Sequence, residues 1–275
     1  MPPAMRIPVL TYHAMNVAGN SYESNDHVAF AADLALLFDK GIQVCSLADV
    51  VDALLADDLM RLGRCVAITF DDGSNFDFID LPHPTWGVQL SMFTIMENAA
   101  RAGRQPTPEA TSFVVVSPQA RDELDRGCMI GRKWWTDEWW SSAEASGRLK
   151  IESHSWDHNH ECVSATVAAA PRGTFDLRSH DEAQREIADA NEYLCSRRGR
   201  PGPTLFAYPY GRANAFLAEE YFPHGEVVHG VKAAFTTAGR PVESGVDRWR
   251  IPRFVSGWHW TSAREFKDLL EDCVR

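Results

Sequence analysis

Short apolar runs alternate with amphipathic stretches along most of this chain. The runs cover residues 7–12, 43–46, 65–70, 111–116, 149–153, 204–208, 233–237 and 249–254. Their length and their content of Val, Ile, Thr and aromatic residues predict strands. Between them, residues 27–40 carry Val28, Phe30, Ala31, Leu34, Leu37 and Phe38 at helical spacing, with Gly41 as a stop. Further helices are predicted over 47–55, over 137–145 with Thr136 as cap and Gly147 after it, and over 181–195 with Arg197 and Arg198 just beyond. Strand and helix alternating at this spacing predict an α/β fold: a barrel of the β/α kind, with parallel strands inside and helices outside. Residues 74–110 break the rhythm, being rich in Pro, His, Trp and Gly, with a short helix near 89–102. They read as a long insertion on the barrel rim within a single domain spanning 1–275.

Composition narrows the partners. The 275 residues are 45% hydrophobic and 24% charged, a balance that argues against disorder. The net charge of −11 disfavours both a nucleic-acid surface and an anionic membrane. No stretch has the length of a transmembrane span, and the opening MPPAMRIPVL has no leader-like apolar run, so a cytoplasmic location is expected. The six cysteines show no CxxC or zinc-finger spacing, so neither a thiolate metal site nor a redox pair is expected, and the thiols read as reduced and mostly buried.

Three runs end in polar residues suited to chemistry. After residues 65–70 come Asp71-Asp72-Gly73. Two carboxylates after a buried strand are costly unless paired or bound to a cation, and Gly73 allows a turn that aims both at one point. After residues 149–153 come His154-Ser-Trp-Asp-His158, whose two imidazoles four apart can chelate a metal from a helical turn or compact loop. His160 and Glu161 follow and leave the donor set open. After residues 204–208 come Pro209-Tyr210-Gly211, which either end the strand or fix the backbone N–H of Tyr210 toward a site.

Thr69-Phe-Asp-Asp-Gly73, His154-Ser-Trp-Asp-His158 and Phe206-Ala-Tyr-Pro-Tyr-Gly211, in that order, resemble the polysaccharide deacetylases with a NodB-homology domain, carbohydrate esterase family four. Leu10-Thr-Tyr-His13 and Ala110-Thr-Ser-Phe-Val114 are also similar to family segments, so the resemblance spans roughly 7–255. It implies a distorted (β/α) barrel of about seven parallel strands. It implies a hydrolase that removes N-acetyl groups from an N-acetylated sugar or polysaccharide, releasing acetate and a free amine. Asp71 would be the catalytic base. Asp72, His154 and His158 would hold one divalent metal ion, Zn first, with Co, Fe, Ni and Mn compatible. The N–H of Tyr210 would stabilise the oxyanion. His13, Pro209 and Trp156 are read as substrate-binding, and the partner is a carbohydrate.

The chain departs from the family in three respects. Where many members carry an Arg that tethers the base, this one has Ala207, leaving Arg250 or Arg253 as stand-ins. The family's late Leu-x-x-His segment has no good match, leaving His13, His259 or neither as general acid. Eighty-two residues separate Asp72 from His154, and the surplus in 74–110 and 117–136 suggests a site narrowed by loops and a small or terminal N-acetylated group as substrate. Two other readings stay open: hydrolysis of another C–N bond, such as a cyclic imide or ureide, and a metal-containing carbohydrate-binding protein without turnover. Buried packing is the default for the nine Trp; Trp156, Trp258 and Trp260 are read as candidate faces for a sugar ring.

Overall fold

A computed structural model describes residues 5–202 and 205–274. Seven parallel strands form one curled sheet in the order β10-β1-β3-β6-β7-β8-β9. In chain order they are β1 (Val9–Tyr12), β3 (Cys65–Asp72), β6 (Ala110–Val114), β7 (Leu149–Ser153), β8 (Leu205–Ala207), β9 (Ala233–Phe235) and β10 (Phe254–Val255). An eighth, β2 (Gln43–Cys45), pairs with β3 beside this path. A parallel bridge from Phe235 to Ile251 links the β9 edge to the segment leading into β10, so the two edges approach each other. The distorted barrel expected from the sequence is therefore what the chain forms. Each predicted run contains or abuts a strand. The run at 204–208 begins at Thr204, which lies outside the described residues. The run at 249–254 yields its strand only at its end, because Pro252 has no N–H to give a ladder.

Crossover helices cover the outer face. They are α1 (Asp26–Asp39), α2 (Leu47–Leu55), α3 (Met92–Arg101), α4 (Pro118–Cys128) and α5 (Trp140–Ser146). Farther along, α6 (His180–Ala183) passes through a π-helical turn (Gln184–Asp189) into α7 (Ala190–Arg198). Two short helices, α8 (Phe222–His224) and α9 (Glu226–His229), precede β9, and α10 (Ala263–Cys273) packs on α1. Most helix starts follow one device. Ser46, Ser91, Ser117, Ser179 and Ser262 each accept a hydrogen bond from a first-turn N–H, and Asn25 does the same for α1. The fifth helix begins later than predicted: its N-cap is Trp139, and Thr136 instead donates its hydroxyl to Asn75 Oδ1 at 3.2 Å. Gly147 does end it, in the left-handed conformation. Arg197 and Arg198 lie in the last turn of α7, not beyond it.

Residues 74–110 contain a 3-10 turn (Asn75–Asp77), an antiparallel hairpin of β4 (Leu81–His83) and β5 (Gly87–Gln89), and α3. Met92 and Met96 of α3 are fully buried in the main core with Phe30, Leu34 and Leu37 of α1. This helix is thus the ordinary crossover between β3 and β6, and the added element is the hairpin.

Strand alternation places one column of polar side chains on the inner face. Along β3 this column is Thr69 and Asp71, and Thr11 of β1 stands beside Thr69 with their hydroxyls 2.9 Å apart. Phe113 of β6, in register with Asp71, is wholly buried against Phe235, ring centroids 5.6 Å apart. We expect Phe113→Ala to lower folding stability by about 3–5 kcal/mol through the cavity it leaves. Chemical denaturation measures this, and a loss under about 1 kcal/mol would contradict the placement of Phe113 in the closed core.

Candidate active site

The ends of β3, β7 and β8 converge on one cavity of about 790 Å³, toward the upper end of the roughly 300–1,000 Å³ usual for small-ligand sites. The mouth of a parallel barrel at its strand C-termini is where loops from many strands meet. Backbone strain collects there too. Of the seven non-glycine residues with positive φ among those described, Asp72, Ser155, His158, Asn159 and Tyr210 belong to the three polar segments or the residue after them.

At the end of β3, successive side chains should point to opposite faces. The turn begins at Asp72 itself, with φ of 73°, one residue before the glycine expected to make it. Both carboxylates therefore face the cavity. Gly73 follows with φ of 76°, and a Cβ there would lie 2.9 Å from Val114 Cα. Trp135 donates its indole N–H to the Asp72 carbonyl at 3.1 Å and so braces this turn.

Asp71 is 5% exposed and forms a two-pronged ion pair with Arg253, at 2.6 and 2.8 Å. The same guanidinium donates to Thr69 Oγ1 at 3.2 Å and to the Thr236 carbonyl at 3.4 Å, and lies over the Phe113 ring at 5.2 Å. Burial alone would raise the Asp71 carboxyl. Arg253, with His154 and His13 nearby, overcomes this and holds it down at about 2. Of the two proposed stand-ins, Arg253 is the tether. Arg250 instead pairs on the surface with Asp247 and Glu219, at 2.9 and 2.6 Å.

The loop after β7 is compact rather than helical. Ser155 Oγ accepts the His158 N–H at 3.0 Å, and Asp157 accepts the N–H of Asn159 and of Val167 at 2.8 and 2.7 Å. Glu186, buried in the π-helical turn, accepts the N–H of Trp156 at 3.1 Å through its side chain. Burial and the neighbouring Asp157 push the Glu186 carboxyl well above the usual carboxylate range. His154 Nδ1 donates to the Ala207 carbonyl at 2.9 Å, an arrangement that turns Nε2 toward the cavity. That nitrogen lies 3.7 Å from Asp72 Oδ1 and 4.0 Å from Asp71 Oδ2. His158 Nε2 lies 3.8 Å from the same Asp72 oxygen. Burial, then the neighbouring His154 and His160, hold His158 well below the usual imidazole range, so it is neutral.

Asp72, His154 and His158 thus place three donor atoms within 4.8 Å of one another. The set fits a divalent ion on two observations. The Ala207 carbonyl fixes the tautomer that presents His154 Nε2, as outer partners of metal-ligating imidazoles do. His158 turns its Nε2 toward the same Asp72 oxygen that His154 Nε2 faces, so two imidazoles and one carboxylate converge on one point.

The structure also redistributes the remaining candidates. His13 lines the cavity, whereas His259 does not: its Nδ1 accepts the Val255 N–H at 2.8 Å, on the far side of the β10 loop. Tyr210 lines the cavity with its ring against His158, centroids 4.5 Å apart. Gly211 after it is obligatory, since any Cβ would collide with Thr237. Two expected substrate contacts fall elsewhere. Pro209 is buried beneath the turn, and Trp156 packs edge-on against Tyr193, 5.8 Å between centroids. Trp156 is held there by its backbone, three residues past the strand, which is tied to Glu186. Trp260 is buried on Tyr12 and presents no face to a ligand. Trp258, 65% exposed, does line the cavity, as does Trp135. Cys128, Thr174, Asp176, Arg212 and Asn214 also contribute and were not foreseen, since no local pattern marks them.

Fold and site together define a NodB-type barrel carrying an acid–imidazole cluster at its strand ends. The family profile described as polysaccharide deacetylase matches residues 61–225, and the chain belongs to that family. Among solved structures, IcaB from Ammonifex degensii superposes with a TM-score of 0.67 at 18% identity, covering 98% of each chain. PplD, a deacetylase of Streptococcus pyogenes in complex with acetate, gives 0.64 at 18% over 99% of each chain. A de-N-acetylase from Aggregatibacter actinomycetemcomitans gives 0.63 at 17%, covering 96% of this chain and all (100%) of that one. No curated protein matches the chain. No helix among the described residues is long and apolar enough to cross a membrane.

The ion pair makes a specific demand. Arg253→Met should cost roughly 3–5 kcal/mol, because Asp71 is left charged and buried without a partner. Adding Asp71→Asn to that variant should recover part of the loss, with a coupling of about 2 kcal/mol. Denaturation of the two single variants and the double variant tests this; strictly additive losses would show that the pair is not the interaction at stake.

Proposed function

We propose that this protein is a metal-dependent deacetylase that removes an acetyl group from the nitrogen of an N-acetylated sugar. One observation carries the reading. A single cavity gathers a buried, Arg-paired carboxylate and, against the same imidazole, a second carboxylate and a second imidazole with their donor atoms converging.

Asp72, His154 and His158 would hold the ion. Such an ion, when bound, supplies a Lewis acid that polarises the acyl carbonyl and lowers the pKa of water. Asp71 takes the proton of the attacking water, and Arg253 keeps that carboxylate ionised and aimed. The Tyr210 N–H, on the turn after β8, donates to the oxygen that gains charge as water adds to the amide carbon. The C–N bond then breaks and the amine needs a proton. His13 is the imidazole in the cavity outside the proposed ligand set and the rim residue His160, so it is assigned that transfer. Acetate and a free amine leave. Support comes from membership of the family and from likeness in fold to a deacetylase and a de-N-acetylase. The bounded cavity, with Trp258 at its rim, favours a short or terminal sugar over the middle of a long polymer.

The direct measurement is acetate release from N-acetylglucosamine oligomers with Zn²⁺ or Co²⁺ present. Asp71→Asn should lower the rate by about 10²–10⁴-fold while metal content stays. Equal loss of metal in that variant would remove Asp71 from the role of base. An equal rate on polymeric chitin would contradict the short-substrate reading. His154→Ala and His158→Ala should each lower bound metal sharply; unchanged stoichiometry would refute the ligand assignment.

A further inference from the structure

At the rim of the same cavity, α4 ends against the loop that follows His158. Cys128, the last residue of α4, places its Sγ 3.3 Å from Cys162 Sγ and 3.9 Å from each ring nitrogen of His160. We propose that Cys128, His160 and Cys162 form a second metal site, suited to a borderline or soft divalent ion such as Zn²⁺. The inference does not rest on the hydrolytic reading of the neighbouring cluster.

The distances match the chemistry. With Zn–S of about 2.3 Å and Zn–N of about 2.0–2.1 Å, a tetrahedral ion separates its donors by roughly 3.5–3.8 Å. Here the three donor atoms lie within 4.8 Å of one another, so the widest pair must close by about 1 Å to reach that spacing. Two thiolates with one imidazole prefer Zn²⁺ over Mg²⁺ or Mn²⁺, whose preference is for oxygen.

The approach of helix to loop is built in. Gly127, inside the last turn of α4, has ordinary helical φ, so its role is not backbone freedom. A Cβ there would stand 3.1 Å from Cys162 Cβ and 3.2 Å from its Sγ. A glycine inside a helix costs about 1 kcal/mol against alanine, and here it admits the second cysteine. Cys45 and Cys65 are also neighbours, but no imidazole joins them to complete a set among the described residues. His160 is partly held already, as its Nδ1 accepts the Cys162 N–H at 3.1 Å. An ion at Nδ1 would replace that bond, and an ion at Nε2 would require the other tautomer. Cys128 and His160 both line the cavity. Three protein donors leave one tetrahedral position for water or a ligand oxygen.

Titration of the reduced, metal-free protein with Co²⁺ tests this without any assay of turnover. Thiolate ligation gives cobalt an intense near-ultraviolet charge-transfer band, whereas the Asp72–His154–His158 cluster, having no sulfur, gives none. Wild type should show the band and bind about two ions per chain. Cys162→Ser, at an exposed position, should lose the band and keep about one ion. Gly127→Ala should weaken the band while leaving the fold intact. His154→Ala should keep the band and lose the other ion. A wild type that binds about one ion without the band, its thiols still titratable, overturns the proposal. So does a Cys128–Cys162 disulfide that forms in air with Co²⁺ present, since coordinated thiolates resist that oxidation.

Discussion

The guanidinium of Arg253 is the point on which the barrel mouth depends. It comes from the residue before β10 at one edge of the sheet. It reaches Asp71 and Thr69 on β3 and the carbonyl of Thr236, which follows β9 at the other edge. One side chain thus ties together both edges of the curled sheet and its inner polar column. A buried ion pair is poor evidence of net stability, because the cost of removing both charges from water offsets much of their attraction. Its value here is positional. It keeps one carboxylate ionised in a closed environment and fixes its direction.

Everything else at the site is arranged around that fixed charge. Asp71 obeys the alternation of its strand, but Asp72 can face the same cavity only by taking a left-handed conformation. His158 and Tyr210 pay similar backbone costs, of order 1–3 kcal/mol each, and the surroundings hold them. Glu186 binds the backbone of the β7 loop, Trp135 the carbonyl of Asp72, and Thr237 leaves no room for a side chain at residue 211. The strained residues of the site are thus held by partners from several separate elements.

The barrel was legible in the sequence because strand length and helical periodicity are local properties. The three polar segments were legible because each follows a buried strand directly. Partners across the fold were not. Nothing near Arg253 distinguishes it from Arg250, and only the path of the chain shows which guanidinium points inward. Trp156 sits between two proposed ligands in sequence, yet its ring packs on Tyr193 because its backbone is tied to Glu186 from a distant element. The helix at 140–146 was misplaced at its start because Thr136 has a competing acceptor in Asn75. Five serine caps passed unnoticed, since a single Ser before a helix is too common a pattern to stand out. The pairing of Cys128 with Cys162 follows no known spacing, for it is made by a helix end meeting a loop.

The substitution of Ala207 for the family's usual arginine connects these observations. With alanine there, fully buried, β8 contributes only its carbonyl, and that carbonyl orients His154. The cation is Arg253, directly before the strand that also completes the sheet. Orientation of the carboxylate and orientation of the imidazole are therefore assigned to different strands, and each can be fixed without disturbing the other. Barrel closure and the site share a residue: Arg253, which pairs with Asp71, directly precedes the strand that completes the sheet.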